Sequence, residues 1–410
     1  MNTSYLVSAA RTPIGRFMGA FRGVAATELG AVAVRAALDR AAVDPRQVQE
    51  VIIGNVLTAG VGQAPARQAA LRAGCAPEVA AVTINMVCGS GLKAVMQADQ
   101  LIRAGDGRMV VAGGMENMSR SPHLLMDSRR GWRFGDQRVL DSMQHDGLWC
   151  ASEQVLMGKL ADATARECGI SRADQDAWAL TSHQRATRAI DEGWFRDEIA
   201  PVTVASSRGP IEVASDEGPR ADCSLDSLLR LSPAFAEDAS RDETDEARTS
   251  CEATVTAGNA SQISDGAAAV VVVDEATARS VDSPWKARIV ATATHGVAPA
   301  DLFLAPIGAI RDVCRQAGVD PRDVDLIELN EAFAAQTLAC QRSLGLDIER
   351  LNIHGGAIAL GHPIGASGAR VLVTLLYAMH RRQARTGLAS LCLGGGNAVA
   401  MFVERFDAGN

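Results

Sequence analysis

Three stretches of the sequence set chemically capable side chains among glycines. Cys88 opens Cys88-Gly89-Ser90-Gly91-Leu92-Lys93, shortly after the apolar run Ala80 to Ile84 and before Leu92-Lys93-Ala94-Val95-Met96-Gln97-Ala98. That order predicts a buried strand, a tight turn and a helix. The thiol would sit beside the first free N–H groups and the positive end of the helix dipole. Both favour the thiolate, the reactive form of cysteine, and the glycines would let a ligand approach the backbone closely. His362 lies in the glycine-rich stretch 355–363, before a second predicted helix around Ser367. Cys392 ends a predicted strand beside Gly394-Gly395-Gly396, and Asn330 opens Asn330-Glu331-Ala332-Phe333 at a strand-to-helix junction. One cysteine on a helix N-terminus, one imidazole and a second thiol together describe an acyl-transfer site with its own base. Taken singly, each has a plainer reading. Cys88 reads as an inert cysteine in a tight turn, His362 as a hydrogen-bonded loop histidine, Cys392 as a buried strand cysteine and Asn330 as a helix cap. The other cysteines (75, 150, 168, 223, 251, 314 and 340) have no such company and are assigned no chemistry.

Bringing residues some 270 positions apart into one site requires the fold to do it, and the sequence carries a device for that. Val43-Asp44-Pro45-Arg46-Gln47-Val48 precedes a predicted strand at 51–53; Val319-Asp320-Pro321-Arg322-Asp323-Val324 precedes another at 326–329. Gly89-Ser90-Gly91-Leu92-Lys93 is echoed by Ala366-Ser367-Gly368-Ala369-Arg370, 277 positions on, and Ala112-Gly113-Gly114 by Leu393-Gly394-Gly395. Near-constant offsets over three elements imply two copies of one unit packed as a pseudo-dimer, with a site between them. The ends of equivalent elements then face one another, and Cys88, His362 and Cys392 converge in one cleft. Strands are predicted at 6–10, 51–53 and 109–112. Helices are predicted from an N-cap at Thr27 to about Ala42 and over 64–73. Such alternation points to an α/β architecture with largely buried parallel strands.

The region between the copies, about 119–253, differs. It holds an arginine-bearing loop (128–133), a helical segment over 153–167 and a second helix from a Ser171-to-Asp174 capping box to Ile190. The acidic, apolar-poor run 237–246 reads as a solvated or disordered loop. At 410 residues there is room for two or three domains. Hydrophobic content of 47% with 21% charged residues is that of a soluble globular protein. A net charge of -8 without a long basic run argues against nucleic-acid binding. Nine cysteines without CxxC pairs argue against a disulfide framework and a structural zinc site. No secretory signal, no membrane-spanning apolar run and no peroxisomal signal are read, which predicts a cytoplasmic protein.

Six stretches in order carry a family resemblance: Arg11-Thr12-Pro13-Ile14-Gly15, Cys88 to Lys93, Gly113 to Ser119, Thr256 to Ser261, Asn330 to Ala334, and Gly355 to Arg370. The chain resembles the thiolases, and within them the biosynthetic acetyl-CoA acetyltransferase branch. The resemblance implies the duplicated thiolase fold, two βαβ-type halves in a layered αβαβα arrangement with an inserted loop domain. Its implied division is 1–118 plus 254–275 for the first half, 119–253 for a loop domain that binds CoA and makes oligomer contacts, and 276–410 for the second half. The implied activity is acetyl-CoA C-acetyltransferase, a reversible ping-pong Claisen condensation of two acetyl-CoA. The alternative is a 3-ketoacyl-CoA thiolase of broader chain length acting in degradation. A β-ketoacyl synthase and a non-catalytic CoA-binding protein are more distant readings.

By the same resemblance Cys88 takes the acyl group, and His362 accepts the thiol proton and helps bind the second thioester oxygen. Asn330 holds a water at that oxygen. The N–H groups of Cys88 and Gly394 form the other oxyanion hole, and Cys392 moves the α-proton. Ser261 contacts the pantetheine arm, Met157 lies in the region lining the acyl pocket, and Arg220 serves the nucleotide end. Coenzyme A thioesters are substrates; no metal and no tightly bound cofactor is expected. A homo-oligomer, dimer or tetramer, is expected, with neither nucleic acid nor membrane as partner. Leu156 stands where acetoacetyl-CoA thiolases usually carry a histidine. Leu160-Ala161-Asp162 and Ala398 also depart from the family pattern, and 237–251 reads as an insertion.

Overall fold

The computed structural model describes residues 2–207, 209–236 and 253–406; the acidic run 237–251 lies outside the described residues. The first copy runs β1 (Ser4–Arg11), α1 (Ala26–Arg40), β2 (Glu50–Gly54), α2 (Pro65–Arg72), β3 (Ala80–Ile84), α3 (Ser90–Ala104) and β4 (Met109–Asn117). The intervening region contributes α4 (Met157–Glu167) and α5 (Arg172–Asp191) before β5 (Ser264–Asp274) returns to the first copy. The second copy follows as β6 (Ala287–Gly296), α6 (Ala305–Ala317), β7 (Leu326–Leu329), α7 (Ala334–Leu344), α8 (Ile364–Arg382), β8 (Thr386–Leu393) and β9 (Asn397–Arg405).

Nine of these strands form one sheet in the order β7-β8-β9-β6-β1-β5-β4-β2-β3, to which the short strand Gly15–Arg16 adds a tenth beside β5. The order is the duplication made visible. In each copy the first strand (β1, β6) pairs the last (β5, β9), which pairs the strand before it (β4, β8), which pairs β2 or β7. The fifth member, β3, is reduced in the second copy to a bridge between Ile327 and Leu351. The two copies join where Tyr5 and Leu6 pair Arg288 and Ala287.

Period-2 side-chain alternation sorts the strands between layers. On β5, Ala267, Ala269, Val271 and Val273 face α1 and α2, whereas Ala268, Val270 and Val272 face α3 and α8. On β9, Val399, Met401 and Val403 face those same two helices, while Ala398, Ala400 and Phe402 face α6 and α7. The layers therefore run helix, sheet, helix, sheet, helix, with α3 and α8 sandwiched in the middle. The strands are not largely parallel as the alternation suggests: only β2–β3, β2–β4 and β7–β8 are parallel. For β8 and β9 the reason is local. Gly395 and Gly396, at φ +84° and +87°, let the chain reverse within three residues, and a hairpin joins antiparallel strands.

Helix ends differ from expectation in detail. Thr27 is not the cap of α1; Ala25 is, its N–H held by the Glu28 carboxylate at 2.8 Å. The Ser171–Asp174 capping box opens α5 as read from sequence.

Candidate active site

The turn between β3 and α3 places Cys88. Val87 sits in the left-handed region at φ +47°, a costly conformation for a β-branched residue. Ser90 holds the turn closed: its hydroxyl donates to Val87 O at 2.6 Å and accepts from Met86 N–H at 2.8 Å. The neighbouring glycines serve packing rather than ligand approach. A Cβ on Gly89 would lie 2.0 Å from Leu393, and one on Gly91 2.6 Å from the backbone nitrogen of Ala369. The Cys88 turn is thus pressed directly against β8 and α8 of the other copy.

From that other copy come the remaining groups. The 355–363 loop is clamped from below by Glu331, which accepts hydrogen bonds from Trp178, Ser182, Asn352 and the Ile358 N–H at 2.7–3.2 Å. His362 lies near the end of that stretch, its N–H bonded to Gln262 O at 2.9 Å. Its Nδ1 lies 2.6 Å from Ser367 Oγ and 3.5 Å from Asn330 Nδ2. Its Nε2, and Asn330 Oδ1, are buried without a hydrogen-bond partner among the described residues. Asn330 is not a helix cap: Phe333 caps α7, and Asn330 N–H bonds Ser390 O. Cys392 is buried at the end of β8, and the Gly394 N–H two residues on donates to the Cys88 sulfur.

Cys88, Met157, Ser261, His362, Cys392 and Gly394 line one cavity of about 350 Å³, and Leu156 is in its wall. Asn330 stands behind it, against His362. Arg220 is elsewhere, in a neighbouring cavity of about 210 Å³ with His183 and Ser227; Gln262 lines both.

Electrostatics correct one expectation. Burial pushes the Cys88 thiol up to about 11, outweighing the Gly394 and Cys88 N–H groups that pull it down, and buried Glu116 adds to the rise. The resting form is the thiol, so a base is needed. Burial, helped by Arg370, drives His362 down to about 3, so its imidazole is neutral across the physiological range. Burial also raises Cys392 well above an ordinary thiol, with Cys88 adding to it.

Several residues of the site are not evident from the motifs. The wall over Met143–Leu148, a wide π-type turn, and Phe235, Leu302 and Phe303 give no chemical signal because they act by shape. Glu116, within the Gly113–Ser119 stretch, accepts from Val56 N–H, Leu57 N–H, Asn55 Nδ2 and, across the seam, Gly365 N–H at 2.7–3.2 Å. Ser367 is visible in sequence only as the echo of Ser90.

Comparison with known proteins adds to this geometry. The family model for the thiolase N-terminal domain matches residues 4–276, and that for the thiolase C-terminal domain matches 283–405. An acetyl-CoA acetyltransferase of Cupriavidus necator is 50% identical over 99% of this chain and all of that protein. One of Pseudomonas aeruginosa is 48% identical over 99% and 100%. The crystal structure of the Bacillus anthracis acetyl-CoA acetyltransferase superposes with a TM-score of 0.93 at 38% identity, covering 99% of both chains.

Proposed function

The chain belongs to the thiolase family, and on that premise we propose that it is an acetyl-CoA C-acetyltransferase, joining two acetyl-CoA to acetoacetyl-CoA and CoA, reversibly, through an acetyl-Cys88 intermediate. The observation that carries this reading is the meeting of Cys88 from one copy with His362, Cys392 and the Gly394 N–H from the other in a single cavity. In the first half-reaction neutral His362 takes the Cys88 thiol proton as the sulfur attacks the thioester carbon. The N–H groups of Cys88 and Gly394 then hold the oxyanion, and CoA leaves as a thiolate that collects the Cys392 proton, while His362 keeps the one it took. In the second, the Cys392 thiolate removes an α-proton from a second acetyl-CoA, whose thioester oxygen is held by the Nε2–H of the His362 imidazolium and a water on Asn330. The enolate then attacks acetyl-Cys88, the C–S bond to Cys88 breaks, and the leaving sulfur takes its proton back from His362.

An α-proton of a thioester is far too weak an acid for a thiol to remove unaided near neutral pH, so donors aimed at the developing charge are essential. One such donor typically supplies about 3–4 kcal/mol, a rate factor of roughly a hundred to a thousand. Two thiols with separate tasks fit a ping-pong scheme, one storing the acyl group while the other moves the proton.

Ser261 and Met157 flank the path of the pantetheine arm, and the arm turns at Gln262 toward Arg220, which takes the nucleotide end. The inserted region 119–253 supplies Met157 and Arg220 among these contacts, and the returning segment of the first half supplies Ser261 and Gln262. It also supports a homo-oligomer: the loop carrying Leu125, Met126, Trp132, Phe134 and Val139 leaves large apolar side chains exposed. Strand β3 adds to this, being a sheet edge with an open ladder. A second copy, in a dimer or a tetramer, is the partner proposed, and no tightly bound cofactor is needed. No helix among the described residues is long and apolar enough to cross a membrane, and we place the enzyme in the cytoplasm. The degradative, longer-chain alternative is less favoured, since relatives matched from end to end carry acetyl-CoA acetyltransferase names.

Incubation with acetyl-CoA followed by intact-mass measurement tests the intermediate. One acetyl group per chain is expected, absent in Cys88→Ser; no labelling of the native chain refutes the proposal.

A further inference from the structure

We propose that Ser367 is a positioning residue that fixes the tautomer of His362, holding the proton on Nδ1 so that Nε2 faces the cavity as a bare lone pair. The inference rests on the acyl-transfer reading above and concerns a side chain that touches neither substrate nor Cys88.

Comparing the two copies shows how it works. Ser90 and Ser367 are equivalent positions, 277 apart, on the first turns of the two central helices. Ser90 uses both sides of its hydroxyl locally, donating to Val87 O and accepting from Met86 N–H. The residue 277 positions after Met86 is Pro363, which has no N–H. The acceptor side of Ser367 is thereby released from its local task. Its donor side is still satisfied, by Pro363 O at 3.0 Å. With its hydrogen committed there, Ser367 Oγ can only accept from His362, whose Nδ1 lies 2.6 Å away. Nδ1 must then carry the ring proton, and Nε2, buried and without a partner, is left as the acceptor. The serine itself is fully buried, so no solvent competes for it.

The Nδ1–H form is the one able to take a proton from Cys88. The S–H bond breaks as N–H forms at Nε2; the imidazolium keeps its Nδ1–H on Ser367 and its new Nε2–H toward the cavity, and gives that proton back to the Cys88 sulfur when it leaves in the second half-reaction. Without the hydroxyl, the remaining neighbour of Nδ1 is the Asn330 amide at 3.5 Å, a donor. It favours an unprotonated Nδ1, and so puts the proton on Nε2, where the ring has no lone pair to offer the thiol.

Three readouts on Ser367→Ala and Ser367→Thr test this, with thermal midpoints recorded to select folded variants. In ¹⁵N-histidine spectra of the native chain, assigned with His362→Asn, the His362 Nδ1 should appear protonated and Nε2 unprotonated, reversed in Ser367→Ala. Alkylation of Cys88 by iodoacetamide, which needs base assistance but no CoA site, should slow by about a hundredfold in Ser367→Ala, the lower end of general-base contributions. Acetyl-Cys88 formation should slow by the same factor, and Ser367→Thr should restore both rates. An Nε2–H tautomer in the native chain overturns the proposal, as do unchanged alkylation in a folded Ser367→Ala or a Thr variant no better than Ala. Should acetylation fail in the native chain while the tautomer and alkylation behave as stated, the acyl-transfer reading falls and the role of Ser367 stands.

Discussion

Replacing Gly368 by alanine tests the contact on which the cavity depends. Gly91 and Gly368 are equivalent positions of the two copies, and each faces the other central helix. A Cβ on Gly368 would stand 2.3 Å from Leu92 N, as one on Gly91 stands 2.6 Å from Ala369 N. Ordinary contact begins near 3.4 Å, so α8 must retreat from α3 by about 1 Å. Overpacking a well-packed core costs about 1–3 kcal/mol. The better helix propensity of alanine returns about 1 kcal/mol, leaving a net loss of about 0–2 kcal/mol. Spread over 410 residues, whose unfolding entropy is about 2.1 cal/mol/K per residue, that loss lowers the midpoint by no more than about 2 °C. The effect on chemistry is larger. A displacement of about 1 Å in a reacting geometry costs on the order of a hundredfold in rate, and this one separates Cys88 at the head of α3 from His362 and Ser367 at the head of α8. Calorimetry and the rate of acetyl-Cys88 formation should be measured together, with Gly23→Ala as a control, since nothing lies within 4 Å of a Cβ there. A folded Gly368→Ala chain that acetylates at the native rate would refute the claim that this backbone contact sets the site.

Two further outcomes follow from the division of labour and from buried charge. Cys392→Ala should still form acetyl-Cys88 at close to the native rate while losing condensation by at least about a hundredfold; intact mass and product assays separate the two, and loss of acetylation would contradict the separate roles. Burial raises Glu328 to about 8 despite Arg370 at 3.5 Å. The folded state therefore holds a proton that the unfolded chain releases near its ordinary value of 4.5, and this group makes stability fall as pH rises from about 5 to 8. In Glu328→Gln the loss of denaturant midpoint over that window should be smaller than in the native chain, although Glu116, raised to about 7, keeps some slope in both; equal slopes would remove Glu328 as a cause.

What the sequence discloses and what it withholds divide along physical lines. The strand 80–84 and the helix after Cys88 are legible because apolar runs and glycine punctuation are local signals, and β3 spans Ala80–Ile84 as read; it is not the buried strand expected, because it lies at the sheet edge with Ala80 and Val82 exposed. The convergence of Cys88, His362 and Cys392 in one cavity is legible because the repeat supplies the long-range information that a single motif lacks. The protonation state of Cys88 is not, because the helix terminus acts through a few N–H groups that the motif displays, whereas desolvation sums over neighbours brought from the whole chain. Strand direction is likewise hidden: the Gly394–Gly396 reversal that makes β8 and β9 antiparallel is plain once seen, yet alternation of elements alone suggests crossovers. Arg220 falls in a separate cavity because its segment comes from the inserted region, to which the repeat offers no counterpart.

The duplication also explains how two copies of one unit come to do different work. At the head of each central helix a serine hydroxyl donates to a backbone carbonyl, and what it accepts from reduces to Met86 against Pro363. With an N–H four residues before it, Ser90 closes the turn that holds Val87 in its strained conformation and Cys88 in the cavity. Without that N–H, the equivalent hydroxyl is free for the imidazole one residue earlier. The glycines at 91 and 368 let the two helix heads touch at backbone distance, which brings Cys88 of one copy to His362 of the other. Symmetric packing thus supplies the proximity and one asymmetric residue the chemistry. Substituting Pro363 therefore disturbs His362 through the pairing of Ser367, even where the backbone of α8 stays in place.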